Sequence, residues 1–360
     1  MDEPRAGAPA PRGSMRGRKR RRRSRMRFPP AAAHGGDGPF YAALDLGTNN
    51  CRLLVARPTA DGFRVIDSFS RIVRLGEGLS HSGRLGEGAM NRAIGALRVC
   101  AAKLRSRRVA ASRLIATEAC RAAENGEEFL ARVTSATGLK LEIVDRGTEA
   151  RLAAHGCASL LDPEAEGAIL FDIGGGSSEL AWLGRANAVD RGPPSAWVRA
   201  WVSLPLGVVT LAERHGGERV SPETFAAMIE EVMPRVAAFA AAAGANGARL
   251  HLLGTSGTVT TIAGVHLGLR RYDRRRVDGL WLDAREVSEV VGRLAATSYQ
   301  ERVEHPCIGA ERADLVLAGC AILEAIRRVF PCERLRVADR GLREGMLIEL
   351  MRTDGAWAAP

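Results

Sequence analysis

The chain has no Cys-x-x-Cys pair. Its seven cysteines stand apart, at 51, 100, 120, 157, 307, 320 and 332. An odd, scattered set fits reduced thiols in a cytoplasmic protein, not a disulfide framework or a cysteine zinc site. Histidine is equally dispersed: seven residues, no His-Asp dyad and no His-x-x-x-His. No apolar run reaches the ~20 residues that cross a bilayer, so no membrane partner is expected. Two nucleotide devices are also missing. There is no Gly-x-x-x-x-Gly-Lys-Ser/Thr, and no Gly-x-Gly-x-x-Gly between a strand and a helix. That argues against a P-loop ATPase and against a Rossmann dehydrogenase.

What is present is enough for two domains: 360 residues, 46% of them hydrophobic. The net charge of +11 is unevenly placed. Residues 1–38 carry eleven Arg/Lys against Asp2, Glu3 and Asp37, so eight of the eleven net positive charges sit there. This stretch is rich in Pro, Gly, Ala and Arg and lacks the apolar core of a secretory signal. It reads as a disordered basic tail, with contact to a polyanion as its sharper reading. The remaining body is too weakly charged to read as a nucleic-acid binder.

Beyond the tail, apolar patterning predicts an N-terminal α/β domain over 39–160, a second over 161–350 and a short tail over 351–360. The first opens with the strand Tyr41 to Leu44, a turn, the returning strand Cys51 to Val55 and a third strand from Phe63 to Phe69. Met90, Ala93, Ile94, Leu97, Ala101 and Leu104 then share one helical face. The second opens with Ala168 to Phe171, a glycine turn and the return Leu180 to Trp182. Ser221 and Pro222 start a later helix, which Pro234 is expected to kink or end. The two openings share one order: apolar strand, Asp, apolar residue, Gly, small polar residues, apolar strand. That is an internal duplication, and facing loops would form a cleft between two like domains.

The turns carry the chemistry. Glycine lets backbone N–H groups approach an anion closely. Thr48, Asn49, Ser177 and Ser178 add side-chain donors. Asp45 and Asp172 close their strands, and two carboxylates beside a phosphate call for a divalent cation or a water to position. Glu149 follows the strand Leu141 to Val144 and stands at a helix N-terminus, which favours its ionised form.

Six segments in order carry a resemblance. They are Asp45-Leu46-Gly47-Thr48-Asn49-Asn50, Ala116-Thr117-Glu118-Ala119-Cys120-Arg121, Thr148-Glu149-Ala150-Arg151, Phe171 to Glu179, Gly254-Thr255-Ser256-Gly257-Thr258 and Asp339 to Gly345. Over residues 40–350 the chain resembles the exopolyphosphatase / guanosine pentaphosphate phosphatase (Ppx/GppA) family. The resemblance implies two duplicated actin-like, ribonuclease-H-like domains of the acetate kinase–sugar kinase–heat-shock–actin superfold, with an interdomain cleft. It implies Glu149 as the catalytic base that activates water. It implies Asp172, Glu179 and Asp45 around Mg²⁺, and Arg121, Thr48, Asn49 and Gly174, Gly175, Gly176, Ser177 and Ser178 around phosphate.

The expected reaction is release of terminal orthophosphate from inorganic polyphosphate. Guanosine pentaphosphate is the alternative substrate. A kinase of the same superfold and a non-catalytic polyphosphate or ppGpp sensor are further readings. Oligomeric state is left open, with a homodimer among the options. There are two departures from the family pattern. Thr148 stands where a first acid is common, and Arg146-Gly147 replaces a Ser-Gly-type lead-in. Set against long family members, the chain is expected to be a short two-domain form without their C-terminal helical domain.

Overall fold

The structure is a computed structural model that describes residues 26–27, 38–60, 62–184, 197–244 and 249–356. The expected disorder of residues 1–38 lies outside the described residues, except at Gly38 and at Met26–Arg27. The latter form a two-residue strand, β1, against Ala111 and Ser112. Of the expected tail at 351–360, residues 357–360 lie outside the described residues.

The first sheet holds β1, β2 (Tyr41–Leu46), β3 (Asn50–Thr59), β4 (Gly62–Ile72), β5 (Ala111–Ala116) and β6 (Glu142–Ile143). Its order is β4-β3-β2-β5, with β1 and β6 both on the outer edge of β5. The first three long strands run antiparallel, and β5 and β6 join in parallel. Helices α1 (Leu79–Ser82), α2 (Glu87–Ser106), α3 (Glu118–Ala122), α4 (Gly126–Thr137) and α5 (Arg146–Cys157) connect them.

The second sheet repeats the plan. Strands β7 (Gly167–Ile173), β8 (Ser178–Gly184) and β9 (Val198–Leu204) run antiparallel, and β10 (Leu250–Thr255) and β12 (Arg334–Ala338) join in parallel beside β7. A short β11 (Trp281–Asp283) is added at the edge. Around it lie α6 (Val208–His215), α7 (Pro222–Ala243), α8 (Ser256–His266), α9 (Arg274–Val277), α10 (Ala284–Ala295), α11 (Tyr299–Glu304), α12 (Val316–Val329) and α13 (Leu342–Thr353). Two sheets with this shared core order are the duplicated actin-like architecture expected from the repeat.

Both sheets are covered on both faces, which is why β2 and β7 read as unbroken apolar runs. In β2, Ala42, Leu44 and Leu46 pack outward with α2 and α4, while Tyr41 and Ala43 pack on the other face. That second face is met by α13 through Met346, Leu347, Leu350 and Met351. The last helix therefore returns to the first domain, so neither a boundary at 350 nor a tail from 351 describes the fold. Helix α5 lies beside it and turns Ala153, Ala154 and Cys157 to the second sheet. The pair is very close: a Cβ on Gly345 would sit 1.9 Å from the Leu152 carbonyl oxygen, and one on Gly156 2.0 Å from that of Gly341.

One further expectation changes, and one strand is added. Pro234 does not end α7, which runs on to Ala243. Its exposed position leaves the freed carbonyl one turn back open to water, while Val232, Val236 and Phe239 keep the helix packed. Strand β9 was hidden by its short half-buried pattern, although Val198, Ala200, Val202 and Leu204 do alternate inward.

Candidate active site

Each glycine loop is bonded from behind. In loop 1 the Gly47 N–H donates to the Asn50 carbonyl at 2.9 Å. The carbonyls of Thr48 and Asn49 accept from Gly76 and Val73, at 2.9 and 2.8 Å. In loop 2 the Gly174 N–H donates to Ser177 O, and the carbonyls of Gly174 and Gly175 accept from Val208 and Val209, the first residues of α6. With carbonyls occupied in this way, the N–H groups of Gly175 and Gly176 have no acceptor among the described residues and are available to an anion. The loops also touch. A Cβ on Gly175 would lie 3.0 Å from Thr48 Cβ, and one on Gly176 2.9 Å from Thr48 Oγ1. Glycine is required here by close approach, not by positive φ.

Between the loops lies a cavity of about 120 Å³. The structure brings most of the expected residues to its wall: Asp45, Thr48 and Asn49 from the first domain, Glu149 from α5, and Asp172, Gly174 to Ser177 and Glu179 from the second. The N-terminal ends of α5, α8 and α13 also open on it, through Glu149, Ser256 and Leu342. Helix N-termini are favourable for anions. Beside it runs a groove of about 830 Å³, which shares Arg52, Ser256, Asp339 and Arg343 with the cavity and continues to Arg71 and Arg312.

Two expected phosphate ligands are elsewhere. The Ser178 hydroxyl is fully buried and donates to the Leu206 carbonyl at 2.7 Å, because alternation turns it to the opposite face from Glu179. Arg121 is not part of the cavity wall. Its guanidinium donates to Glu149 Oε1 at 2.7 Å, to the Val144 carbonyl and to Glu118. Glu118 is a wall residue that sequence reasoning passed over. Arg146 also binds it, at 2.7 Å. The unusual Arg146 thus supplies the second cation of a four-residue chain: Arg146, Glu118, Arg121, Glu149. The other departure, Thr148, completes the α5 N-cap, since its N–H and its hydroxyl both donate to Asp145, at 2.8 and 2.9 Å.

The wall is electrostatically tense. Glu149 is 7% exposed. Burial first, then repulsion from Glu179, pushes its carboxyl up to about 8 against the pull of Arg121. Burial and Asp172 push Glu179 up to about 7, although Ser177 and Ser203 donate to its Oε1 at 2.7 and 2.8 Å. Burial and Asp45 push Asp172 up to about 6, with Arg52 and Arg343 opposing. Burial also raises Asp45. Glu118 goes the other way: burial would raise it, but Arg146 and Arg121 outweigh burial. Arg52, Arg340 and Arg343 are the cavity's cations; Arg340 is paired with Asp278, and burial lowers Arg343. Beside Arg343, Glu344 is 3% exposed and caps α13 by accepting from the Gly341 N–H.

These residues fit a hard divalent cation. Asp45 Oδ1 is buried with no hydrogen-bond partner among the described residues, and the donors are all oxygens. Among the described residues no three acidic, His or Cys groups converge as one ligand set, so Asp45, Asp172 and Glu179 do not form a cage. Mg²⁺ does not need one: it is usually held by one or two carboxylates with waters and substrate phosphates.

Two actin-like halves with facing glycine loops define a two-domain protein of the actin superfold whose cleft suits an anion. Residues 54–354 match the Ppx/GppA phosphatase family. The chain belongs to that family. It is 29% identical over 319 residues to the guanosine-5'-triphosphate,3'-diphosphate pyrophosphatase of Aeromonas salmonicida, a match covering 88% of this chain and 60% of that protein. The chain thus spans about 60% of that relative's length. The crystal structure of a Ppx/GppA family member from Aquifex aeolicus is similar, with a TM-score of 0.72 and 28% identity, over 88% of this chain and 98% of that one. An exopolyphosphatase-like protein of known structure gives 0.77 and 27%, over 87% and 99%.

Proposed function

We propose that the protein releases orthophosphate from the end of inorganic polyphosphate by direct attack of water, with Glu149 as general base. One observation carries this reading. A buried carboxylate whose pKa is raised toward neutrality stands at the wall of a cavity built from two N–H-bearing loops. Such a group is ionised in part near pH 7 and basic enough to take a proton from water. Attack forms the bond from water oxygen to the terminal phosphorus and breaks the bridging P–O bond. The water proton passes to Glu149, and the shortened chain leaves with its electron pair.

The loop N–H groups, that of Ser177 among them, with Thr48 and Asn49 would hold the transferring group in line. Arg52 and Arg343 would offset its charge, where the larger part of barrier reduction usually lies. Asp45 and Asp172 would hold Mg²⁺, which when bound supplies neutralisation of phosphate oxygens. Glu179, with one oxygen held by Ser177 and Ser203, would have its other oxygen free for the same site. Arg121 would keep Glu149 in place rather than bind phosphate. The Arg-lined groove would receive the rest of the chain.

Guanosine pentaphosphate is the second reading. The name of the Aeromonas relative favours it, and the same terminal anhydride would be cut. Phosphate release from both substrates, measured by malachite green with Mg²⁺ and with chelator, tests the proposal. Release from polyphosphate that chelation abolishes supports it. Release from guanosine pentaphosphate alone assigns the second reading, and release from neither overturns both.

A further inference from the structure

The loops that form the cavity belong to different domains, so something must fix the distance between them. The cavity-facing contacts are few and involve glycines. The stronger ties lie behind, on the far side of the loops.

On the first domain, residues 73–76 back loop 1. Val73 N and Gly76 N donate to Asn49 O and Thr48 O, and a Cβ on Gly76 would lie 2.3 Å from Thr48 Cγ2. Arg92 of α2 pins this segment from its own side by donating to Val73 O at 2.9 Å. On the second domain, the first turn of α6 backs loop 2. These two backings are joined directly. Glu213 of α6 accepts from Gly78 N at 2.9 Å and from the Ser80 hydroxyl. Arg74 makes a two-pronged ion pair with Asp314, at 2.8 and 2.9 Å. Arg74 does so from φ +46°, a left-handed conformation that Arg rarely adopts.

The Asp314 side is rigid in turn. Arg302, 2% exposed, donates to the carbonyls of Ala313, Gly217 and Glu218, and Gly217 packs where a Cβ would lie 2.0 Å from Asp314 O.

We propose that Glu213 and the Arg74–Asp314 pair form an interdomain latch, and that these are positioning residues that hold the two phosphate loops at contact distance. They touch no substrate. They act through residues 73–80 and α6 on Thr48, Asn49, Gly174 and Gly175. Release of the latch separates the loop backings, and with them the loops, which is the motion that admits a phosphate chain and lets phosphate go. As an account of catalysis this rests on the hydrolase reading above; as an account of domain spacing it does not.

The test uses the full chain with Glu213→Ala, Asp314→Ala and a charge-swapped variant combining Arg74→Asp with Asp314→Arg. Asp tolerates the left-handed backbone at 74 better than most residues. Small-angle scattering reads domain separation without substrate, steady-state phosphate release reads KM and kcat, and thermal melting confirms folding. The single variants are expected to increase the radius of gyration. Their KM should rise about tenfold, because apparent affinity falls with the fraction of molecules in the competent state. The swap should restore both. If an alanine variant fails to fold, Glu213→Gln with Ser80→Ala replaces it.

A folded variant with wild-type scattering and wild-type KM overturns the latch, as does a swap that restores neither. If the wild-type protein releases no phosphate, the hydrolase reading falls, and the scattering alone decides whether the latch holds.

Discussion

Arg52 and Glu179 occupy the same place in two copies of one hairpin. Asp45 lies opposite Arg52 across the first hairpin, and Asp172 lies opposite Glu179 across the second. Duplication supplied one frame, and a change of charge at a single position made its halves unequal. Arg52 opposes the rise that burial imposes on both aspartates, whereas Asp172 adds to the rise at Glu179. One hairpin thereby presents a cation beside its aspartate and the other an acidic pair.

Removal of Arg52 should unbalance that arrangement. For Arg52→Gln we expect KM for polyphosphate to rise about tenfold or more, given that a charge-assisted hydrogen bond contributes roughly 1.5–3 kcal/mol. A KM unchanged within twofold would show that Arg52 makes no contact with the chain.

The seam between α5 and α13 sets a stability prediction. Gly345→Ala places a methyl group against the Leu152 carbonyl, where a Cβ would lie 1.9 Å away. The helices must part, at a cost of about 1–3 kcal/mol. A lowered denaturation midpoint is the expected result, and a midpoint equal to wild type would mean the helices are not as close as described.

The raised carboxyls set a pH prediction. Glu149 titrates at 4.5 when unperturbed and at about 8 in the fold. The folded chain therefore binds more protons than the unfolded chain across that window, and stability falls as pH rises through it. Glu179 and Asp172, raised to about 7 and about 6, act with the same sign. In chelator the melting temperature should drop between about pH 5 and pH 8, less steeply in Glu149→Gln. Mg²⁺ should recover more of it at the upper pH than at the lower. A flat profile in chelator would contradict the clustering of buried carboxylates.

Much of this was legible in the residues. The repeated Asp-x-Gly turns gave the duplication, both loops and the strand-end carboxylates, because local chain geometry fixes where those groups sit. Glu149 was legible only with the Thr-Glu-Ala-Arg segment as a guide, since alone it reads as an acid in the first turn of a helix. Contacts between remote segments were not legible. Nothing near Arg121 shows that it turns to Glu118 and Glu149, and nothing near residue 342 shows that the last helix crosses back to the first sheet. Ser178 was misread for a local reason: strand alternation, not membership of the loop, decides where its hydroxyl points. Arg52 could have been found, because it follows Asp45 by the same seven residues that separate Glu179 from Asp172.

The central claim is that water, placed by Glu149, is the nucleophile. Polyphosphate hydrolysis in ¹⁸O-labelled water tests it most directly, with the released phosphate read by mass spectrometry for wild type and Glu149→Gln. The account predicts one solvent oxygen in each orthophosphate released by the wild-type protein, and a rate lower by about 10²–10⁴-fold in the variant. Terminal phosphate that appears without solvent oxygen, or a variant that turns over at the wild-type rate, would contradict it.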